Sequence, residues 1–121
     1  LRTGFLTRFF TEGPAKFYEG FNEPGLNYSK ELVEWFHDME IPALCTDTIA
    51  NETTLHKETG IALPLHAALM RNLGVALNEI CDLEHLSTDC EQDSQYTFLY
   101  VAAPIKFKNA TGAPVNPIAI K

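Results

Sequence analysis

The chain has 121 residues, 45% of them apolar and 21% charged, and nine Lys or Arg against sixteen Asp or Glu give a net charge of −7. That length fits one domain over residues 1–121 with a single core, and the composition argues against disorder, collagen and coiled coil. Bases scattered singly offer no stripe to neutralise phosphates, so nucleic acid is not an expected partner, and no apolar run reaches the roughly eighteen residues of a membrane span.

No segment has the basic, apolar, small-residue order of a signal peptide. Cys45, Cys81 and Cys90 are an odd number in a chain rich in apolar residues, which points to reduced thiols and a cytoplasmic protein. Cys81, His85 and Cys90 lack the paired spacing of a structural zinc knuckle. Asn27, Asn51 and Asn109 each open an N-x-S/T triplet, which matters only in a secreted protein.

In chain order, Leu1, Arg2 and Thr3 read as the tail of a truncated strand. Residues 4–27 have the Gly and Pro content of a loop, with one helical turn over 15–19, yet they carry Phe5, Phe9, Phe10, Phe17, Tyr18 and Phe21. Those rings need a cover: the core, a subunit interface or a substrate pocket. Ser29 is an N-cap for a helix over 30–39 with Leu32, Val33, Trp35, Phe36 and Met39 on one face. Pro42 ends it, and residues 43–46 form a short strand leading into a polar loop to 59. Asp47 and Glu52 sit on that loop, as turn-formers or caps in the ordinary reading and as acids serving a site in the other.

Residues 63–84 carry the best candidate chemistry. Pro64 suits a first helical turn and Gly74 the position after the last, so a three-turn helix is predicted between them. His66, Leu69, Met70 and Leu73 then share an inward stripe. Residues 75–80 read as a strand with Glu79 on the face of Val75 and Leu77, and therefore buried. A buried carboxylate needs a cation, a metal or several donors, and a nearby imidazole is a natural co-ligand. Equally, His66 reads as a core histidine bonded to a backbone carbonyl, with Glu79 solvated.

Farther on, residues 82–85 read as a helical turn, and Asp82, Glu84, Asp89, Glu91 and Asp93 as a solvated face. Residues 96–103 form a nearly continuous apolar run, predicted as a central strand buried on both faces. A turn over 110–114 precedes a last irregular strand over 115–121. The chain has no G-x-S-x-G, G-x-G-x-x-G, Walker, H-E-x-x-H or C-x-x-C motif, which removes the main support for serine hydrolase, nucleotide-binding and redox functions.

Several short motifs fall in one order: Arg2-Thr3-Gly4, Pro24-Gly25-Leu26 before Glu34-Trp35, Asp47-Thr48 with Glu52, and Leu63-Pro64-Leu65-His66. Gly74 with Glu79, Asp82-Leu83-Glu84, Ala103-Pro104 and Gly112-Ala113-Pro114-Val115-Asn116-Pro117-Ile118-Ala119 continue it. Together they resemble the cyclase family that includes bacterial kynurenine formamidases (arylformamidases) and isatin hydrolases, over its C-terminal half.

The resemblance implies an α/β fold, a mixed β-sheet or partial barrel (swivelling β/β/α-like) with flanking helices, and a homo-oligomer. It implies a metal-dependent hydrolase of amide, formamide or lactam bonds, acting on a small molecule. By position His66 and Glu79 match two of the family's zinc or manganese ligands, with Asp47 and Glu52 as acids behind them. The family's histidine-rich signature, which supplies the other ligands and the catalytic histidine, has no counterpart here, so no catalytic residue is assigned in this chain and the metal site is incomplete. Asn116 stands where the formamidases proper carry an Arg, which leaves kynurenine chemistry, and with it tryptophan catabolism, as one option among several. The alternative is a non-catalytic oligomerisation or binding module derived from the same fold.

Overall fold

The computed structural model describes residues 1–21 and 23–121; Asn22 and the side chain of Phe21 lie outside the described residues. The chain divides into two compact units, Leu1–Leu83 and Glu84–Lys121. No helix among the described residues is long and apolar enough to cross a membrane.

In the first unit, the loop predicted for residues 4–27 is largely helical, with α1 at Thr7–Glu12 and α2 at Pro14–Phe17. Gly13 at φ 86° breaks the chain between them, and Pro14 opens α2 where its missing N–H is no loss. Part of the aromatic excess makes a local core, with Phe5, Leu6 and Phe17 buried and Phe9 and Ile49 packed on them, while Phe10 and Tyr18 stay exposed. Helix α3 (Lys30–Asp38) is capped by Ser29, whose Oγ accepts the Leu32 N–H at 3.1 Å. Its apolar face is narrower than expected. Leu32, Val33 and Phe36 reach the core, whereas Trp35 and Met39 stay half exposed.

Strand β1 (Ala43–Cys45) runs parallel to β4 (Ala76–Asn78), with Leu44 opposite Leu77. A parallel pair needs a crossover. Here the connection carries the small antiparallel pair β2 (Leu55–His56) and β3 (Ile61–Ala62), then a helix at His66–Leu73. That helix is a π-helix, not the predicted α-helix, and it ends on Gly74 in the left-handed conformation (φ 77°). The wider turn changes which side chains face inward. Leu65 and Leu69 are buried with Phe36 and Val75, while Met70, expected on the same stripe, is 44% exposed.

In the second unit, α4 (Glu84–Asp93) is a full helix where only a turn was expected, with Cys90 buried on it. Asp89, Glu91 and Asp93 are exposed, as expected, and two of them share a partner. Asp89 and Asp93 each hold Lys121 Nζ at 2.8 Å, a cation supplied from the far end of the unit. Strand β5 (Leu99–Val101) pairs antiparallel with β6 (Ile118–Ile120), and Leu99 and Val101 are 62% and 40% exposed. The predicted central strand is thus an open two-stranded ribbon, because a continuous apolar run records affinity for burial but not which surface provides it. The α/β class stands in coarse form. The strands make three separate two-stranded sheets, and among the described residues none closes into a barrel.

Candidate functional site

The parallel pair places the site. Both strands deliver their C-terminal ends to one side, where ligand-binding residues of open parallel sheets commonly collect. β1 leads into residues 46–52, and β4 leads into Glu79. Beyond the ladder the two segments stay zipped, with Ile80 N–H donating to Thr48 O and Cys81 N–H to Thr46 O, both at 2.9 Å. The first part of the polar loop after β1 is buried: Thr46, Asp47, Thr48, Asn51 and Glu52 are each at most 2% exposed.

A buried carboxylate demands donors. Glu52 has three: Leu65 N–H and His66 N–H at 2.8 Å each, and His66 Nδ1 at 2.7 Å. It therefore both caps the amides that open the π-helix and fixes the imbalance of the His66 ring. Because a carboxylate only accepts, Nδ1 carries a proton, and in the neutral ring Nε2 is left with a lone pair. Nε2 faces Glu79 Oε1 at 3.2 Å. Two acceptors in that position do not attract each other, so a cation, either a proton or a metal ion, belongs between or beside them. Two ligands at tetrahedral angles on a zinc ion, each bonded at about 2.0–2.1 Å, stand about 3.3 Å apart. The observed separation and the nitrogen-plus-carboxylate donor set fit zinc or manganese. A carboxylate behind the non-ligating nitrogen is the usual support for a metal-binding histidine.

Glu79 differs from its predicted state. Its side chain is 34% exposed, because β4 ends at Asn78 and the alternation expected to bury Glu79 stops there. Asn51 Nδ2 donates to the same Oε1 at 3.2 Å, which steadies it. Asn51 adopts φ 57°, a left-handed conformation that Asn tolerates, and its Oδ1 is buried with no partner among the described residues. Asp47 turns elsewhere, holding the N-terminal segment through Thr3 N–H at 2.8 Å, Thr3 Oγ1 at 2.9 Å and Gly4 N–H at 2.6 Å.

Two residues of this region carried no usable sequence signal. Asn51 read only as a glycosylation triplet, a role its burial excludes. Glu23 stood in a Gly- and Pro-rich loop without any motif, yet it is buried, accepts Ile49 N–H and lies within 3.5 Å of Thr54 Oγ1. Burial pushes its carboxyl above the usual range; the Ile49 and Ala50 amides pull it back, and the charge of Glu79 pushes it up again. Among the described residues no cluster of three or more His, Cys, Asp or Glu side chains forms a metal-holding group, so His66 and Glu79 stand as a pair. The apolar cavity of about 310 Å³ beside Phe36, Pro42 and Val75 takes no wall from either of them.

No protein-family model and no curated protein matches the chain. A solved structure does: the crystal structure of a protein described as a novel cyclase is 37% identical and superposes with a TM-score of 0.82 over 99% of this chain. The chain spans 38% of that protein's length. With that identity and superposition over nearly every residue, the chain has a cyclase-family fold.

Proposed function

We propose that the chain forms part of a metal-dependent hydrolase akin to the kynurenine formamidases and isatin hydrolases, with His66 and Glu79 holding zinc or manganese. The observation that carries this reading is the Nε2 to Oε1 separation of 3.2 Å with Nδ1 committed to Glu52. A bound metal would lower the pKa of a water and polarise the carbonyl that this water attacks, in an amide, formamide or lactam. The chain's own residues do three things. Glu52 fixes the His66 ring so that Nε2 points outward to the site, Asn51 steadies Glu79, and the parallel pair keeps both segments in register. Two ligands do not complete a four-coordinate centre, so the remaining ligands and the catalytic base come from residues outside this chain. The three free thiols suit a cytoplasmic protein, and the exposed apolar strands suit a homo-oligomer.

The test uses the longer protein that contains these residues. Its metal content and its hydrolysis of N-formylkynurenine and of isatin should both fall by orders of magnitude in His66→Ala and Glu79→Ala, while Glu52→Gln should weaken metal affinity by about 10–100-fold. The 121-residue chain alone should neither retain stoichiometric metal nor turn over either substrate. Full metal content and activity in both alanine variants would overturn the reading. A second reading, a non-catalytic module, is favoured by the lack of a third ligand among the described residues. It requires the longer protein to be free of metal and inactive.

A further inference from the structure

Asn51 is pinned by its backbone but held by only one end of its side chain. It is 2% exposed, its φ is 57°, and its carbonyl accepts the Leu26 N–H at 3.1 Å, so the main chain around it is fixed. In the side chain, Nδ2 donates to Glu79 Oε1 at 3.2 Å, while Oδ1 is buried with no partner among the described residues. A buried acceptor without a donor has lost its water and gained nothing in return, a deficit that ordinary packing removes. A carboxamide is nearly symmetric in shape, so half a turn about Cβ–Cγ exchanges its oxygen and nitrogen in place. For Asn51 that turn breaks the bond to Glu79 and no other, since the buried end has none to lose.

The bond to Glu79 is the one that a cation makes dispensable. Glu79 Oε1 stands 3.2 Å from His66 Nε2 and 3.2 Å from Asn51 Nδ2. Next to a bare carboxylate the N–H end of the amide is the favourable neighbour. Beside a divalent cation the preference reverses, because the positive charge repels that end of the amide dipole and attracts the oxygen. We propose that Asn51 is a third metal-binding residue of this chain, its Oδ1 turning toward the ion that His66 and Glu79 hold. The inference rests on the metal reading of that pair. Half a turn sets Oδ1 where Nδ2 now lies, at the same 3.2 Å from Oε1, which matches the separation of two donors on one ion. A neutral carbonyl oxygen beside a carboxylate and an imidazole makes an oxygen-rich set, and that suits manganese better than zinc.

Manganese binding to the longer protein, read from the loss of the free-ion EPR signal, tests this without any substrate, with circular dichroism showing each variant folded. Asn51→Gly accepts the positive φ without strain and removes the amide, so it should weaken manganese binding about 10–100-fold. Asn51→Asp separates a ligand from a prop. It keeps an oxygen and tolerates the left-handed backbone, yet as a carboxylate it cannot donate to Glu79. It should bind manganese at least as tightly as the unsubstituted protein. Binding weakened in Asn51→Asp as much as in Asn51→Gly would overturn the proposal and leave Asn51 as a donor that only steadies Glu79. Unchanged binding in Asn51→Gly with loss in His66→Ala would overturn it as well, while the pair of His66 and Glu79 stands. Unchanged binding in Asn51→Gly and His66→Ala alike would remove the metal reading itself, and this inference with it.

Discussion

Glu52 and Glu23 are both buried carboxylates, and they meet burial in different ways. Glu52 accepts from three donors, the backbone amides of Leu65 and His66 where the π-helix begins and the His66 ring N–H. Glu23 also has donors, the Ile49 and Ala50 amides and Thr54 Oγ1, but burial outweighs them, so its carboxyl is held above the ordinary range. A group raised in the folded state contributes stability that is complete below its unfolded pKa and is lost as pH rises through the folded value. The stability tied to Glu23 is therefore lost on going from about pH 4 toward neutrality. Glu23→Gln, which keeps an oxygen for the Ile49 and Ala50 amides, should flatten that slope. Urea midpoints across this range check it, and an unchanged slope would show that Glu23 does not titrate this way. Nearby, Gly25 leaves no room for a side chain: a Cβ there would lie 2.4 Å from the Glu52 carbonyl carbon. Gly25→Ala must push apart the Leu26–Glu52 bridge, at a cost of about 1–3 kcal/mol. The loss should appear in urea unfolding together with a displaced His66 ring signal by NMR.

Among the elements, the π-helix at His66–Leu73 decides the site. His66 sits at its first residue, where the amides that Glu52 caps are free of helical partners, and the wide turn lets Leu69 reach the core while Met70 swings out. Its end depends on Gly74. At φ 77° an L side chain crowds the following carbonyl, so Gly74→Ala should cost about 1–2 kcal/mol and lower the melting temperature. Retention of full stability would mean that the helix end relaxes without cost. This end was legible from sequence, as were the Ser29 cap of α3 and the strand after Pro42. The helix type was not, because apolar spacing over two turns fits both 3.6 and wider periods.

For the molecule as a whole, the second unit shows how much apolar surface is left open. Leu99 faces Ile120 across the β5–β6 ladder and Val101 faces Ile118, and all four are at least 40% exposed. A two-stranded ribbon with such a face is marginal by itself and adheres to others. Sedimentation of the 121-residue chain should show concentration-dependent self-association, relieved when Ile118 and Ile120 are both changed to Lys. A monomer at every concentration would contradict this.

The sequence by itself determined what lies within a few residues along the chain: the Ser29 cap, the breaks at Pro42 and Gly74, and the short strands that follow each break. Tertiary structure alone decided that the loop of residues 46–52 is buried, that Glu52 rather than a backbone carbonyl holds the His66 ring, that Asn51 and Glu23 join the neighbourhood, and that the strand over 99–101 lies open. The reason is physical. Caps and periodicity act between near neighbours whose identities are adjacent in the sequence. Burial of a charge depends instead on donors brought from 13 or more residues away, which only the folded chain sets beside Glu52.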